Sequence, residues 1–139
     1  MTVKMEKISL STKGFNDMKD ITDKVESLIE KSGINDGIVT IFVPGSTGGV
    51  TTIEYESGLI QDFPDLMEKL IPYKAHYEHN ATWGDANGAS HLRAALIGPS
   101  LTVPFKNKKM TLGTWQQIIF VDFDTHSRNR NIVVQIIGE

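Results

Sequence analysis

The side chains best suited to chemistry crowd between Pro72 and Gln117. They are His76, His79, Asp85, Asn87, His91 and Arg93, followed by Leu112-Gly113-Thr114-Trp115-Gln116. Three of the four histidines in the chain fall in the first group. Imidazole with carboxylate suits Zn, Mn, Fe or Ni. The twelve-residue gap between His79 and His91 is too long for the i,i+4 pair of a helical zinc motif. The two rings converge only if residues 80–90 fold back, with Asp85 and Asn87 adding oxygen ligands. The competing reading is a pair of solvent-facing loop histidines, since no standard zinc spacing is present. His126, between Asp124 and Arg128, reads as surface.

Residues 91–98 (HLRAALIG) read as a strand, which puts His91, Arg93, Ala95 and Ile97 on one face. That face suits a pocket rim, with Arg93 as bidentate donor to an anion such as phosphate. Ser46-Thr47-Gly48-Gly49 offers hydroxyls and backbone amides, a candidate anion nest that lacks the Lys-Ser/Thr ending of a nucleotide P-loop. Glu54 is a candidate general base or solvated carboxylate. Arg128 and Arg130, two apart, either share a phosphate or decorate a turn. Gly113 within an otherwise continuous strand suggests a bulge or a close approach. Trp115 is expected in the core.

These residues need a scaffold. At 139 residues the chain is long enough for one domain spanning 1–139 with a single core. A hydrophobic share of 40% and a charged share of 22% are ordinary for a globular fold. The net charge of −3 argues against a nucleic-acid partner. No run approaches the roughly 20 apolar residues of a membrane span, and no signal-peptide pattern opens the chain. There is no cysteine, which removes disulfides and thiolate sites. A cytoplasmic protein is the expectation.

Strands are predicted at Val3–Ser11, Gly37–Pro44, Val50–Tyr55, His91–Gly98, Ser100–Phe105, Met110–Asp124 and Ile132–Ile137. Helices are predicted over Met18–Ile29, stopped by Gly33, and over Phe63–Leu70, with Pro64 in its first turn and Pro72 beyond its end. Lys106, Lys108 and Lys109 around Asn107 read as a solvated hairpin tip. Two helices on a largely antiparallel sheet or sandwich make an α+β fold.

Taken together, Ser46-Thr47 with Glu54, Tyr77-Glu78-His79, Asp85-Ala86-Asn87, His91-Leu92-Arg93, residues 96–102 (LIGPSLT), residues 112–116 (LGTWQ) and Asp122-Phe123-Asp124 with Arg128 and Arg130 resemble the secondary thiamine-phosphate synthase family. The resemblance implies a homotrimer with a histidine-lined site that takes a divalent metal (Zn, Mn or Mg). It also implies joining of hydroxymethylpyrimidine diphosphate to thiazole phosphate. On that reading His79, His91, Glu54 and Arg93 are catalytic, and His79, His91 and Asp85 hold the metal. Ser46, Thr47, Asn87, Gln116, Arg128 and Arg130 bind a small phosphorylated metabolite. The family's His-Thr-Thr pattern has Gly45 in place of its histidine here. The alternatives are a non-catalytic phosphate-metabolite or metal-binding module and a metal-dependent hydrolase.

Overall fold

Alternating burial along the strands assembles two antiparallel sheets, in a computed structural model that describes residues 1–139. In chain order the elements are β1 (Thr2–Thr12), β2 (Asp17–Asp20), α1 (Thr22–Ser32), β3 (Gly37–Phe42), β4 (Gly48–Ile53), α2 (Ser57–Leu70), α3 (Glu78–Trp83), α4 (Gly88–Ile97), β5 (Ser100–Lys106), β6 (Lys109–Met110), β7 (Gln117–Asp122) and β8 (Arg128–Gly138). The larger sheet has the order β1-β8-β3-β5-β6 and the smaller β2-β7-β4. No helix is long and apolar enough to cross a membrane.

The period of two in β7 explains the layering. Ile118 and Phe120 face the larger sheet and join a core with Val39, Ile41, Ile132, Val134 and Ile136. Val25 and Ile29 of α1 close that same core. Ile119, Val121 and Phe123 face the other way and pack on Met67 of α2 and Ala94 of α4. The small sheet is therefore covered on both faces, which is why its central strand is almost wholly apolar. The α+β fold expected from the pattern is what forms, with four helices in place of two.

Four element assignments need correction. Residues 17–20, read as the start of the first helix, pair with β7 as strand β2, and α1 begins only at Thr22. Residues 88–97 form helix α4, not a strand. Their buried positions are Gly88, Ala89, Ser90, Arg93 and Ala94, not the alternation of a strand, while Leu92 and Leu96 point to solvent. Alanine and leucine also favour helix. The second helix starts at Ser57, because the Glu56 carboxylate accepts from the N–H groups of Gly58 (2.8 Å) and Leu59 (2.6 Å). Pro64 thus lies mid-helix, where the missing N–H leaves the Ile60 carbonyl without its usual ladder partner. The long strand Met110–Asp124 is interrupted by a loop over 111–116, in which Trp115 is 71% exposed and so not a core residue. The hairpin at Asn107-Lys108 stands as read, both residues having positive φ.

A buried polar joint ties the sheets together where the apolar core ends. Asp122 continues the inward face of β7, and Arg130 continues that of β8. Arg130 grips the Asp122 carboxylate through Nε (2.9 Å) and Nη2 (2.8 Å), and Nη2 also donates to the Thr47 hydroxyl (2.8 Å). The Thr12 hydroxyl of β1 donates to the same carboxylate. Next to it, Asp124 accepts from Thr47 Oγ1 (3.1 Å) and from Arg128 Nε (2.6 Å). Burial pushes both aspartates up. For Asp122 the bonds from Arg130, Thr12 and the Asp124 N–H outweigh it and hold the pKa below the ordinary value. For Asp124 the Thr125 N–H, Thr47 and Arg128 do the same.

Arg93 forms a second clamp and is completely buried. Its guanidinium donates to Ile71 O (2.9 Å), Asn16 Oδ1 (2.8 Å) and Glu68 Oε2 (2.8 Å), and lies 3.9 Å from the Tyr73 ring centroid. It therefore joins α4 to the end of α2 and to the turn before β2. Burial pushes the Tyr73 phenol up to about 12, against the pull of Arg93.

Two outcomes follow. A carboxyl whose pKa is lowered on folding stabilises fully above its unfolded value, about 3.9, and loses that contribution as pH falls through the folded value. The urea midpoint should therefore drop steeply below about pH 4, and Asp122→Asn should flatten that drop while lowering the neutral-pH midpoint. An unchanged acid limb in the variant would remove Asp122 as its source. Arg93→Ala should cost about 3 kcal/mol by chemical denaturation, since it strips a buried guanidinium from three acceptors. Arg93→Lys should recover little of this, because an ammonium cannot reproduce the fork.

Candidate functional site

The turn between β3 and β4 sits where three neighbours meet: α4, the polar joint and the start of β8. Gly45 has φ +112°, a conformation that glycine tolerates and side chains rarely adopt. The backbone N–H groups of Gly45, Ser46 and Thr47 make no hydrogen bond within the chain. On one side, Gly45, Ser46, Gly48, His91, Ala95 and Pro99 line a cavity of about 240 Å³. On the other, a cavity of about 450 Å³ is lined by Lys7, Pro44, Gly45, Arg128, Arg130 and Asn131. Gly45 belongs to both.

Arg130 gives this turn its chemical character. Nε and Nη2 are committed to Asp122 and Thr47, whereas Nη1 has no partner in the protein. A Cβ on Gly45 would stand 3.2 Å from that Nη1. The missing side chain therefore leaves the guanidinium edge open. Asp122 neutralises much of the arginine charge, so Nη1 acts chiefly as an aimed donor. Arg128 and Lys7 add positive charge to the same cavity.

The histidines do converge, as the fold-back reading requires. His79 is carried by α3 and His91 by α4, with ring centroids 4.5 Å apart and planes at 61°. Asn87, just before α4, bonds His79 Nε2 through Oδ1 (3.0 Å), and Asp85 Oδ1 lies 3.7 Å from that nitrogen. Asn80 holds the chain reversal by accepting from the Gly88 N–H (2.8 Å). The metal-binding reading gains no support from this arrangement. No three His, Cys, Asp or Glu side chains form a group that could hold a metal ion. The two rings meet edge to face, and His79 already has Asn87 as its neighbour.

Other expected site residues are placed differently. Arg93 cannot serve as an anion donor at a pocket rim, because its guanidinium is buried against Ile71, Asn16 and Glu68. Thr47 is 5% exposed and belongs to the polar joint, while Ser46 next to it is exposed and lines the smaller cavity. Arg128 is paired with Asp124. Glu54 lies beyond the end of β4 away from Gly45, exposed and unpaired with either histidine. Gln116 lines a separate cleft beside Thr52. His76 is exposed against Glu78, and His126 is at the surface as expected. Sequence reasoning missed the role of Asp122 and the part of the Gly45 N–H in a turn whose Ser46–Gly49 amides it had read as a candidate anion nest. The first had a signal: an acid ending a run of four apolar strand residues must be buried with partners.

The same arrangement of elements recurs in known proteins. Residues 6–139 match the model of a family described as UPF0047 protein YjbQ-like. A UPF0047 protein of Methanothermobacter thermautotrophicus is 42% identical over 139 residues, covering 100% of this chain and 95% of that protein. One from Archaeoglobus fulgidus is 38% identical over 130 residues, covering 94% and 98%. The crystal structure of a YbjQ-like protein of unknown function from Sulfolobus solfataricus P2 superposes with a TM-score of 0.94 at 36% identity, covering 99% of each chain. These matches correct the resemblance drawn from the motifs: nothing among them points to a thiamine-phosphate synthase, and the transferase reading falls with it. The chain belongs to the UPF0047 family of YjbQ-like proteins.

Proposed function

We propose that the protein binds a small phosphorylated metabolite, its phosphate held at the Gly45 turn. The observation that carries this reading is the coincidence of three unpaired N–H groups at Gly45–Thr47 with the unpaired Nη1 of Arg130 beside Gly45. Consecutive free amides in a turn are an anion-binding concavity. A guanidinium edge held in place by other bonds donates with less loss of side-chain freedom than a mobile one. The Ser46 hydroxyl and the His91 ring supply two further polar groups on the side of α4. The ligand's uncharged part would lie along Ala95 and Pro99. The expected partner is thus one small oxyanion-bearing molecule. A cytoplasmic location is part of this reading.

Titration calorimetry with inorganic phosphate and with glycerol phosphate tests the reading. Both should bind, the ester more tightly. Gly45→Ala should weaken binding by about tenfold or more, because a Cβ would crowd Nη1 and the left-handed backbone would resist it. Ser46→Ala should weaken it by several-fold, as loss of one neutral hydrogen bond of about 1 kcal/mol implies. Heat of binding that is absent for both probes, or unaltered in Gly45→Ala, would sink the assignment.

A further inference from the structure

The two sheets approach each other along a second seam that they leave open. β4 is an edge of the smaller sheet, and β5 is covered on its outer side only at its far end, by β6. The β4 edge is tied down at one point, where the Val50 N–H donates to Gly98 O (3.1 Å) two residues before β5, and no ladder joins the two strands. From that point they diverge around a cavity of about 370 Å³, a volume typical of small-molecule sites.

The hydrogen-bonding groups that face this cleft follow from strand periodicity. The Val50 N–H points out of the small sheet, so the backbone groups of Thr52, two residues on, point the same way. In β5, Val43 N bonds Pro99 O across to β3, and Thr111 N bonds Pro104 O on the other side. Ser100 and Thr102 therefore turn their N–H and C=O groups towards the cleft. Pro104 fits this strand because its nitrogen also faces away from β3. Two open sheet edges thus confront each other across a cavity, and neither finds a partner strand.

The side chains around the cleft are uncharged. Thr51, Thr52, Ser100, Thr111 and Gln116 line it over an apolar floor that includes Leu101 and Leu112. Gln116 is held in place, with Oε1 accepting from the Gly113 N–H (3.0 Å) and Nε2 donating to Thr52 Oγ1 (3.1 Å). A charged ligand would find no counter-charge in the lining. Alternating donors and acceptors with no ionised group match an amide, in which N–H and C=O stand side by side.

We infer that the cleft between the open edges of β4 and β5 is a second binding site, distinct from the Gly45 turn, for an uncharged amide or lactam group. That chemistry occurs in a short neutral peptide and in a lactam heterocycle of the uracil type. Thr52, Ser100 and Thr102 bind it through their backbones, and Gln116 shapes the cleft's mouth.

The test is a titration followed by amide NMR of the full chain, with uracil and with N-acetylalanine methylamide as probes. At least one probe should shift the backbone signals of Thr52, Ser100 and Thr102 together with the Gln116 side-chain amide. Uracil alone would identify a lactam ligand; the methylamide alone would identify a peptide. Thr102→Pro removes only the cleft-facing donor, leaving the bonds to β3, and should weaken binding about tenfold. Gln116→Leu gives an independent perturbation should the proline variant not fold. The inference fails if neither probe moves those signals at tens of millimolar (the weak end of small-ligand affinity). It also fails if Thr102→Pro folds and binds like the parent. Phosphate binding at the Gly45 turn is read separately and should be unchanged in both variants.

Discussion

The ion pair between Asp122 and Arg130 is the constraint on which the rest depends. A carboxylate inside a protein is stable only if its desolvation is met by bonds. Here the bonds come from Arg130 on β8, Thr12 on β1 and the backbone of Asp124, while Arg130 reaches on to Thr47 ahead of β4. One buried acid thereby fixes four separate stretches of chain. The apolar core alone would tolerate small sliding of one sheet over the other, because dispersion contacts are not directional. The polar joint is directional and selects one alignment. It also sets the orientation of the guanidinium whose free edge meets the Gly45 turn, so scaffold and site share a single device.

Much of this fold could be read from pattern. The strands with clear alternation or a β-branched run, the glycine stop of α1, and the Asn107-Lys108 hairpin all formed close to their expected limits. Failure came where period two and period 3.6 both fit a short segment. In residues 88–97 the leucines, the strongest apolar signal, turned out to face solvent, and the buried face was made of alanine, serine and an arginine. No hydropathy pattern marks such a face. In residues 110–124 the loop around Gly113 was hidden because Leu112 and Trp115 look like strand residues. The site was legible in part. Convergence of His79 and His91 was one of two readings left open, and the fate of each arginine was not legible, since sequence does not reveal whether a guanidinium is committed to the protein's own carbonyls and carboxylates.

Family membership changes how the motifs are understood. Polar residues such as Asp122, Asp124, Arg128 and Arg130 suggested a diphosphate-handling enzyme when read as a string. In space, most of their hydrogen-bonding capacity is spent on one another. What remains for a ligand is smaller and more specific: one terminal nitrogen, three backbone amides, a serine and a histidine. This remainder supports recognition of an oxyanion.

The pairing of β1 with β8 has a consequence for how the molecule comes together. Eleven residues at one end of the chain bond to eleven at the other, from Thr2 opposite Gly138 to Thr12 opposite Arg128. The most extensive ladder is thus also the least local, and its loop-closure entropy is met only after the intervening elements have gathered. Until β8 arrives, β1 has no neighbour and β3 lacks one side, so the position between them in the larger sheet is filled last. The polar joint cannot close before that moment either, because Arg130 rides on the arriving strand. Assembly of the scaffold and maturation of the Gly45 turn are therefore a single late event.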